Sequence, residues 1–270
     1  MNLRHLLLLT GVAALSLPLS GQTFVGSDNF DSGQTAKWDY VYRLNSATVT
    51  QGLLDFSNNR LDFSKASSGA GNQYRLWDSD GTGSPNVTAS SYTTSWTMSM
   101  SVTNTLGGLT GSEFATVGLN LFNDANSYSS LMLSATSTGN YIRAEGTGFT
   151  ATNTLVGDNT DVWLQLTWNA SAQTLAAAYS FDKSTFTPVA TFHPTTEWDN
   201  STPATAVSNG FNFGVFANSD TTAAISSGSV YADNYSVSAV PEPSTYAAFA
   251  GLGALGLAFW RRRQKTAVAA

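Results

Sequence analysis

Glycoside hydrolysis needs two carboxylates that face each other across a cleft, and one pair in this chain has a spacing that could supply them. Glu197 and Asp199 form the only Glu-x-Asp in the sequence, and in a β-strand both side chains would point to the same face. The pair lies between Pro194 and Pro203, however, and these prolines favour a loop over a strand. Hydrolase chemistry at Glu197 and Asp199 is therefore the weakest of the functions that the sequence allows.

Nucleophilic catalysis and zinc binding have few candidate residues. The region between the two terminal segments contains one histidine, His193, and the chain contains no cysteine. A Ser-His-Asp site would depend on that single imidazole, and zinc sites are usually built from His and Cys. Because His193 follows a short apolar run and precedes Pro194, a structural position at a strand end is favoured. We expect no catalytic residue and no zinc site.

Two groups of aspartates could bind calcium, which prefers oxygen ligands. Asp78 and Asp80 alternate with serine beside a glycine, as in a calcium loop, but the distal glutamate that completes such a loop is missing. The second group pairs Asp28 or Asp31 with Asp233, if the first and last strands lie side by side. Polar turns that cap strand ends are the alternative for both groups. Structural Ca²⁺ is therefore the one cofactor for which the sequence offers a site.

Sugar rings stack on exposed aromatic side chains, so the tryptophans are candidate glycan contacts. Trp77 precedes Asp78, and Trp198 lies between the two acids of the carboxylate pair, so we expect both at loops and exposed. Trp96 and Trp163 lie in alternating stretches and are expected in the core. Trp77 and Trp198 are the predicted stacking residues.

The elements that position these residues are predicted to be β-strands. Thr and Ser are abundant, Lys and Glu are scarce, and no stretch in the middle of the chain repeats apolar residues at the helical period. One stretch alternates cleanly, with Trp96, Met98, Met100 and Val102 on one face. Strands are predicted at 24–30, 38–44, 53–56, 60–63, 72–77, 92–102, 114–122, 129–134, 141–144, 162–169, 174–181, 188–192, 211–217 and 229–237. So many strands predict two packed antiparallel sheets in one domain over residues 22–238.

Two stretches resemble parts of the concanavalin A-like (laminin-G-like) jelly-roll domains. Residues 161–192, DVWLQLTWNASAQTLAAAYSFDKSTFTPVATF, are similar to the central hairpin, and residues 210–240 are similar to the last two strands. The resemblance implies an all-β, antiparallel two-sheet jelly-roll sandwich. It identifies no ligand, because this fold hosts lectins, glycosidases and structural modules. Glucanases of this fold carry Glu-x-Asp-x-x-Glu, and here Thr202 stands in the place of the third acid.

The N-terminal residues 1–21 are predicted to be a signal peptide. Arg4 and His5 precede an apolar run from Leu6 to Leu17, and Pro18 with small residues follows. The run is too short for a transmembrane helix. The protein is therefore expected to be exported, and the absence of cysteine means that no disulfide stabilises it afterwards.

The C-terminal residues 239–265 are predicted to be a membrane anchor. Pro241 and Pro243 flank Glu242, an uncharged run extends from Ser244 to Trp260, and three arginines follow at once. The run would reach about 25 Å as a helix, and basic residues after such a run mark the cytoplasmic boundary. The residues concerned are Val240, Pro241, Glu242, Pro243 and Ser244 for the motif, and Arg261, Arg262 and Arg263 for the membrane stop.

This order of motif, apolar helix and basic cluster resembles the PEP-CTERM sorting signal of Gram-negative bacteria. The resemblance implies recognition by an exosortase, a membrane transpeptidase that cuts near the Pro-Glu-Pro motif, and delivery to the cell surface or extracellular matrix. The anchor would hold the protein in the inner membrane until it is cut. A short Ala-rich tail after Lys265 departs from the family pattern.

Net charge narrows the possible partners. Residues 22–238 contain seven Lys or Arg and 17 Asp or Glu, a net charge of −10. This acidic surface disfavours nucleic acid and anionic polymers, and it suits neutral glycans or cations. We expect a non-enzymatic, structural or adhesive β-sandwich at the cell surface or in the matrix, with extracellular polysaccharide as a candidate partner. The alternatives are a lectin-like carbohydrate-binding module and a glycoside hydrolase.

Overall fold

The protein folds into two antiparallel β-sheets that pack face to face. A computed structural model describes residues 25–31, 38, 40–44, 52–55, 59–65, 72–77, 88–124, 127–198, 201, 206–240, 253 and 255–257. In 40–44, 52–55 and 72–77 it describes the backbone alone. This β-sandwich confirms the predicted fold class.

Between residues 25 and 240, the described part of the chain contains fifteen strands and three helical segments of three to five residues. The strands are β1 Gly26–Asp28, β2 Tyr40–Leu44, β3 Gly52–Asp55, β4 Leu61–Lys65, β5 Asn72–Trp77, β6 Trp96–Asn104, β7 Phe114–Asp124, β8 Ser127–Thr136, β9 Gly139–Gly146, β10 Phe149–Gly157, β11 Asp161–Asn169, β12 Thr174–Ser180, β13 Thr187–Phe192, β14 Asn212–Ser219 and β15 Val230–Ala239. The helical segments are α1 Ala89–Thr93, α2 Pro194–Glu197 and a 3₁₀ turn at Val207–Asn209.

The strands divide into a first sheet of eight and a second sheet of seven. The first sheet has the order β13-β12-β11-β6-β15-β4-β3, with β1 paired to β15 outside this path. The second sheet has the order β10-β9-β8-β7-β14-β5-β2. Every strand pair is antiparallel. The first and last strands are neighbours, as predicted, because Gly26 lies opposite Val237 and Asp28 opposite Tyr235.

Most predicted strands are confirmed, including the 53–56/60–63 hairpin, which forms β3 and β4. The alternation in β6 is also correct, since Trp96, Met98, Met100 and Val102 are buried while the residues between them are half-buried. Two predictions were wrong. The start of the predicted 92–102 strand belongs to α1, and the edge strand β10 was missed. An edge strand buries little, so β10 carries no apolar alternation that could reveal it.

The core lies between the sheets and has an aromatic cluster at one end. Phe211 packs edge-to-face against Trp96, Trp168 and Trp198, at ring-centroid distances of 5.7, 4.9 and 5.7 Å. Phe213 adds a fourth such contact, 4.8 Å from Trp96. Edge-to-face pairs contribute about 0.5–1.5 kcal/mol beyond their buried area. These contacts stabilise the sandwich, which contains no cysteine and therefore no disulfide.

Candidate functional site

Of the predicted hydrolase pair, Glu197 lies in the described part of the chain, where it takes part in a local turn. Glu197 ends the short helix α2, and its Oε2 accepts a hydrogen bond of 2.7 Å from the backbone N–H of His193. The carbonyl of His193 in turn accepts hydrogen bonds from the backbone N–H groups of Thr196 and Glu197. His193 and Glu197 therefore stabilise the turn that follows β13. Asp199 lies outside the described residues.

Trp198 is not an exposed stacking platform, which corrects the prediction. Its side chain is 4% exposed and packs on Phe211 in the core. The indole Nε1 donates a hydrogen bond of 3.2 Å to Ser129 Oγ, so its polar group is satisfied inside the protein. The flanking acids of the sequence suggested a surface loop, but the short helix α2 turns this position inward.

The other predicted tryptophan positions also differ from expectation or fall outside the description. Trp163, expected in the core, is half-buried on the outer face of the first sheet, and the Nζ of Lys183 lies 4.1 Å from its ring centroid. Trp77 ends β5, opposite Gly214 of β14 and Tyr40 of β2. The side chain at position 77 lies outside the described residues.

Of the aspartates near the first and last strands, Asp31 acts electrostatically on Asp233, and Asp28 makes local hydrogen bonds. Asp28 is already engaged, because its Oδ1 accepts from the backbone N–H of Phe30 at 2.7 Å and its Oδ2 accepts from Trp38 Nε1 at 2.6 Å. Burial raises the pKa of the Asp233 carboxyl, and the negative charge of Asp31 raises it further. The charge of Asp31 therefore acts on the Asp233 carboxyl, while Asp28 fixes the indole of Trp38.

Calcium at these positions stays a prediction. Over the described ranges, no group of three or more His, Cys, Asp or Glu side chains is placed to hold a metal ion. Asp78 and Asp80, the other predicted calcium ligands, lie outside those ranges.

A polar row crosses the outer face of the second sheet, the face turned away from the first sheet. By strand register, Gly214, Asn120, Ser130 and Glu145 follow one another on β14, β7, β8 and β9. Position 77 of β5 extends the same row. Asn120 alternates along β7 with Leu119 and Leu121 of the core, which fixes the direction in which its amide points. Sequence reasoning missed this row, since Asn and Ser on a strand have no spacing that signals a site.

Three side chains on this face are buried without hydrogen-bond partners. The Asn120 amide oxygen and nitrogen, the Ser130 hydroxyl and the Asn212 amide oxygen are all enclosed, and none has a partner in the part of the chain that the structure describes. The three residues are at most 1% exposed. A buried polar group without a partner costs about 1–3 kcal/mol. We call Asn120, Ser130 and Asn212 the unpaired cluster.

A cavity of about 300 Å³ lies on the same face as the unpaired cluster, and none of the three residues of the cluster lines it. It lies one row from Asn120 and Ser130 and two rows from Asn212, where Phe216, Gly118, Met132 and Arg143 follow one another on β14, β7, β8 and β9. Its walls combine apolar side chains with hydroxyl and amide groups, and they are lined by Ser112, Phe114, Thr116, Met132, Ser134, Thr136, Arg143, Glu145, Phe216 and Asn218. Such a mixture of apolar surface and a few polar groups is typical of small-ligand sites.

The charged groups around the cavity are neutralised or fixed. Arg143 Nε donates to Glu145 Oε2 at 2.7 Å, so the ion pair leaves little net charge at the wall. A second cavity, of about 230 Å³, shares Arg143 and is lined also by Glu113. Four hydrogen bonds, from the N–H and hydroxyl of Thr110, the hydroxyl of Thr221 and the N–H of Thr222, lower the pKa of Glu113 to about 2. Glu113 therefore stays ionised at neutral pH.

The predicted sorting segment begins where the last strand ends. Ala239 pairs with Trp96 in the first sheet, and the N–H of Val240 donates to the carbonyl of Ser95 at 2.8 Å. The remaining motif residues and the three arginines lie outside the described residues. Four residues of the apolar run are described, at 253 and 255–257, and all are helical and exposed. Within the described part of the chain, no helix combines the length and apolar character that a membrane crossing requires.

Solved structures with a similar fold include glycoside hydrolases and a lectin. Bacteroides ovatus Xyloglucan PUL GH43B aligns with 11% identity and a TM-score of 0.53, over 79% of this chain and 39% of that one. Xylan beta-1,4-xylosidase from Bacillus halodurans aligns with 11% identity and a TM-score of 0.51, over 78% and 38%. Lectin UEA-II complexed with galactose aligns with 12% identity and a TM-score of 0.45, over 80% and 99%.

The similarity to the two glycoside hydrolase structures shows the fold alone, because the identities are so low. The chain spans less than half the length of either GH43B or the xylosidase. No curated protein sequence matches the chain.

The C-terminal segment gives a sharper result. Residues 239–263 match the family model of the PEP-CTERM protein-sorting motif. The motif indicates export and membrane anchoring for sorting, and it implies processing by an exosortase, a membrane enzyme. The chain is thus a β-sandwich protein that carries a PEP-CTERM sorting motif at residues 239–263.

Proposed function

We propose that this protein is an adhesive or structural component of the cell surface or extracellular matrix, and that it contacts neutral glycan through the outer face of its second sheet. The N-terminal signal peptide would start export, and the apolar run from Ser244 to Trp260 would hold the protein in the membrane until an exosortase cuts near Pro241–Pro243. The mature protein would then consist of residues 22–238 and a few more.

The unpaired cluster is the observation that carries the glycan assignment. The Asn120 amide, the Ser130 hydroxyl and the Asn212 amide oxygen have no partner among the described residues, and because they are enclosed a sugar could reach them only if the groups that cover them move aside. Sugar hydroxyls can donate and accept at once, so they suit both an amide and a hydroxyl. The nearby cavity is lined by Met132 and Phe216, but these side chains are only 1% and 3% exposed, so we assign no ring stacking to them.

Charge selects among glycans. The ion pair of Arg143 and Glu145 offers no free cation to an anionic sugar, and the net charge of −10 over residues 22–238 repels acidic polymers. A neutral hexose or pentose polymer is therefore the class of ligand we propose.

The carboxylates near the cavities argue against hydrolysis. A glycosidase needs one carboxylic acid that is protonated near neutral pH and a second carboxylate across the bond to be cut. Glu113 has a pKa of about 2 and cannot act as that acid, and Glu145 is bound to Arg143. We therefore propose that the domain binds without catalysis.

A glycan array with matched variants tests the binding. We expect the wild-type sandwich to bind neutral glycans, and Asn120→Leu to lose at least tenfold in affinity because it replaces the amide by an apolar group of similar size. Ser99→Ala, on the outer face of the first sheet, is the control and should bind normally. If the wild type binds no neutral glycan, with or without EDTA, the proposal is wrong. Loss of binding only in EDTA would instead support calcium near Asp31 and Asp233.

Cell fractionation tests the sorting. Replacing Pro241, Glu242 and Pro243 by alanine should leave a larger, uncut protein in the inner membrane fraction. A protein of unchanged size and location would contradict processing at this motif.

A further inference from the structure

We propose that one corner of the sandwich lies against the surface of the lipid bilayer while the sorting segment is still attached. The corner, which we call the exit corner, consists of residues 92–95, 169–173 and 238–240. The inference rests on the proposed function, because it requires that the apolar run from Ser244 to Trp260 inserts into the membrane.

The first argument is the continuity between the sheet and the sorting segment. β15 is an interior strand of the first sheet, between β6 and β4. Its ladder continues to Ala239, opposite Trp96, and the N–H of Val240 still donates to the carbonyl of Ser95 at 2.8 Å. The matched motif therefore starts inside the folded domain, and no flexible linker separates the last strand from Pro241.

The second argument is the length of chain that remains. Three residues separate Val240 from Ser244, where the apolar run starts. Even fully extended, these four steps span at most about 14 Å, and two of the three residues are prolines that stiffen the backbone. The headgroup region of a bilayer is itself about 5–8 Å deep on each side. The end of β15 must therefore lie at or just outside the headgroups.

The third argument is that the exit corner is held together as one body. The hydroxyl of Ser95 accepts from the backbone N–H of Ala170 at 3.1 Å, while its carbonyl accepts from Val240. Gln173 Nε2 donates to the Tyr92 hydroxyl at 2.6 Å, which ties the turn between β11 and β12 to the end of α1. A tether at Val240 therefore positions all three segments and not the last strand alone.

The fourth argument is charge. The three segments of the exit corner contain no Asp, Glu, Lys, Arg or His, although the domain as a whole is strongly acidic. The opposite end of the same sheet carries Asp158, Asp161 and Asp182, all exposed. Glu197 lies at the same end as the exit corner but follows β13, four places from β15 in the sheet order. An uncharged corner can approach anionic headgroups, which would repel carboxylates.

Site-specific fluorescence quenching tests the inference, and the absence of cysteine makes single labels simple. The full chain, in vesicles of phosphatidylcholine and phosphatidylglycerol without any processing enzyme, would carry a fluorophore at Ser171→Cys or at Asp158→Cys. Headgroup-quencher lipids should quench the label at position 171 at least twofold more than the label at 158. A ten-residue Gly-Ser insertion between Val240 and Pro241 should remove most of that difference.

The outcomes separate this inference from the proposed function. If the full chain does not float with the vesicles, the membrane anchor itself is wrong. If it floats but both labels are quenched equally, or the insertion changes nothing, the docking of the exit corner is wrong. A corner that instead binds the sorting enzyme would also give equal quenching here, because the vesicles contain no enzyme.

A charge variant tests the fourth argument separately. Ala172→Asp places a carboxylate at the exposed turn of the exit corner, and it should reduce the quenching at position 171 in anionic vesicles but not in pure phosphatidylcholine. Asp158→Asn, at the opposite end, is the matched control and should change neither. Equal effects in both lipids would overturn the electrostatic part of the inference.

Discussion

The two outer faces of the sandwich are both rich in small polar side chains, but the first sheet pairs them with one another. The hydroxyls of Ser99 and Ser236 lie 2.9 Å apart across β6 and β15. Those of Thr97 and Thr167 lie 3.4 Å apart across β6 and β11. On the outer face of the first sheet, these hydroxyls therefore satisfy one another through hydrogen bonds between neighbouring strands.

At the centre of the second sheet, the described polar side chains of the outer face do not pair with one another. Asn120, Asn212 and Ser130 are more deeply buried than the hydroxyls of the first sheet. The Asn120 amide, the Asn212 amide oxygen and the Ser130 hydroxyl have no partner in the ranges that the structure describes. Composition alone would treat the two faces as equivalent. The two faces therefore differ in the state of their hydrogen bonds and not in their polar composition, and this difference is the basis on which we propose a ligand for the second sheet.

The largest effect is expected at Glu113, a carboxylate at one end of the second sheet that accepts four hydrogen bonds. Glu113→Gln keeps the shape but loses acceptor capacity for these donors, so we expect it to lower Tm more than Glu145→Gln or Ser99→Ala does. Because the folded-state pKa is about 2, below the ordinary 4.5, the stabilisation is present above pH 4.5 and is lost as the pH falls toward 2. Thermal melts from pH 7 to pH 2 should show this loss in the wild type and much less of it in the variant.

Glu145→Gln is the matched control for that variant. Glu145 makes one partly exposed ion pair, with Arg143, and such pairs contribute about 0–1 kcal/mol. If the two variants lower Tm equally, the number of hydrogen bonds that a carboxylate accepts does not determine how much it stabilises this sheet.

The second effect concerns the unpaired cluster directly. Asn120→Leu replaces a buried amide without partners in the described ranges by an apolar side chain of similar size, so we expect stability to rise by about 1–3 kcal/mol. Chemical denaturation would measure the change. A loss of stability would mean that the amide is satisfied in solution, and the contrast between the two faces would disappear.

The third effect is a change of opposite sign on the first sheet, where a hydroxyl pair is broken. Ser99→Ala removes one partner of a hydrogen bond of 2.9 Å, and we expect a loss of about 0.5–1.5 kcal/mol. A double-mutant cycle with Ser236→Ala should show that the two losses are not additive. Additive losses would indicate that these hydroxyls bond to water and not to each other.

The architecture could be predicted from the sequence because apolar residues alternate with polar ones along strands that bury one face. The alternation around Met98 and Met100 predicts both the strand and its inner face, and the C-terminal order of Pro241–Pro243, apolar run and arginines predicts the sorting motif. These features depend on neighbours in the sequence. They can therefore be seen without knowing which strands pair.

The site could not be predicted in the same way. Asn120, Ser130 and Asn212 belong to three strands, and only the register of β7 with β8 and β14 brings them together. Trp198 was expected at the surface because charged residues surround it in sequence, whereas its contacts with Phe211 and Ser129 come from distant parts of the chain. Hydrogen-bond satisfaction is a property of such long-range pairs, and no local pattern encodes it.

The smallest effect is expected at a cation–π contact on the outer face of the first sheet. Lys183 Nζ lies 4.1 Å from the ring centroid of Trp163, on a half-buried surface where a cation–π contact contributes about 0.5–1 kcal/mol. Lys183→Met keeps the aliphatic stem over the indole and removes the charge, so stability should fall by no more than that amount. Salt should weaken the wild-type advantage, because the ammonium is exposed to solvent. If the variant is as stable as the wild type at low salt, the cation–π contact adds nothing to the free energy of unfolding. The hydroxyl pairs would then be the contacts that stabilise this outer face.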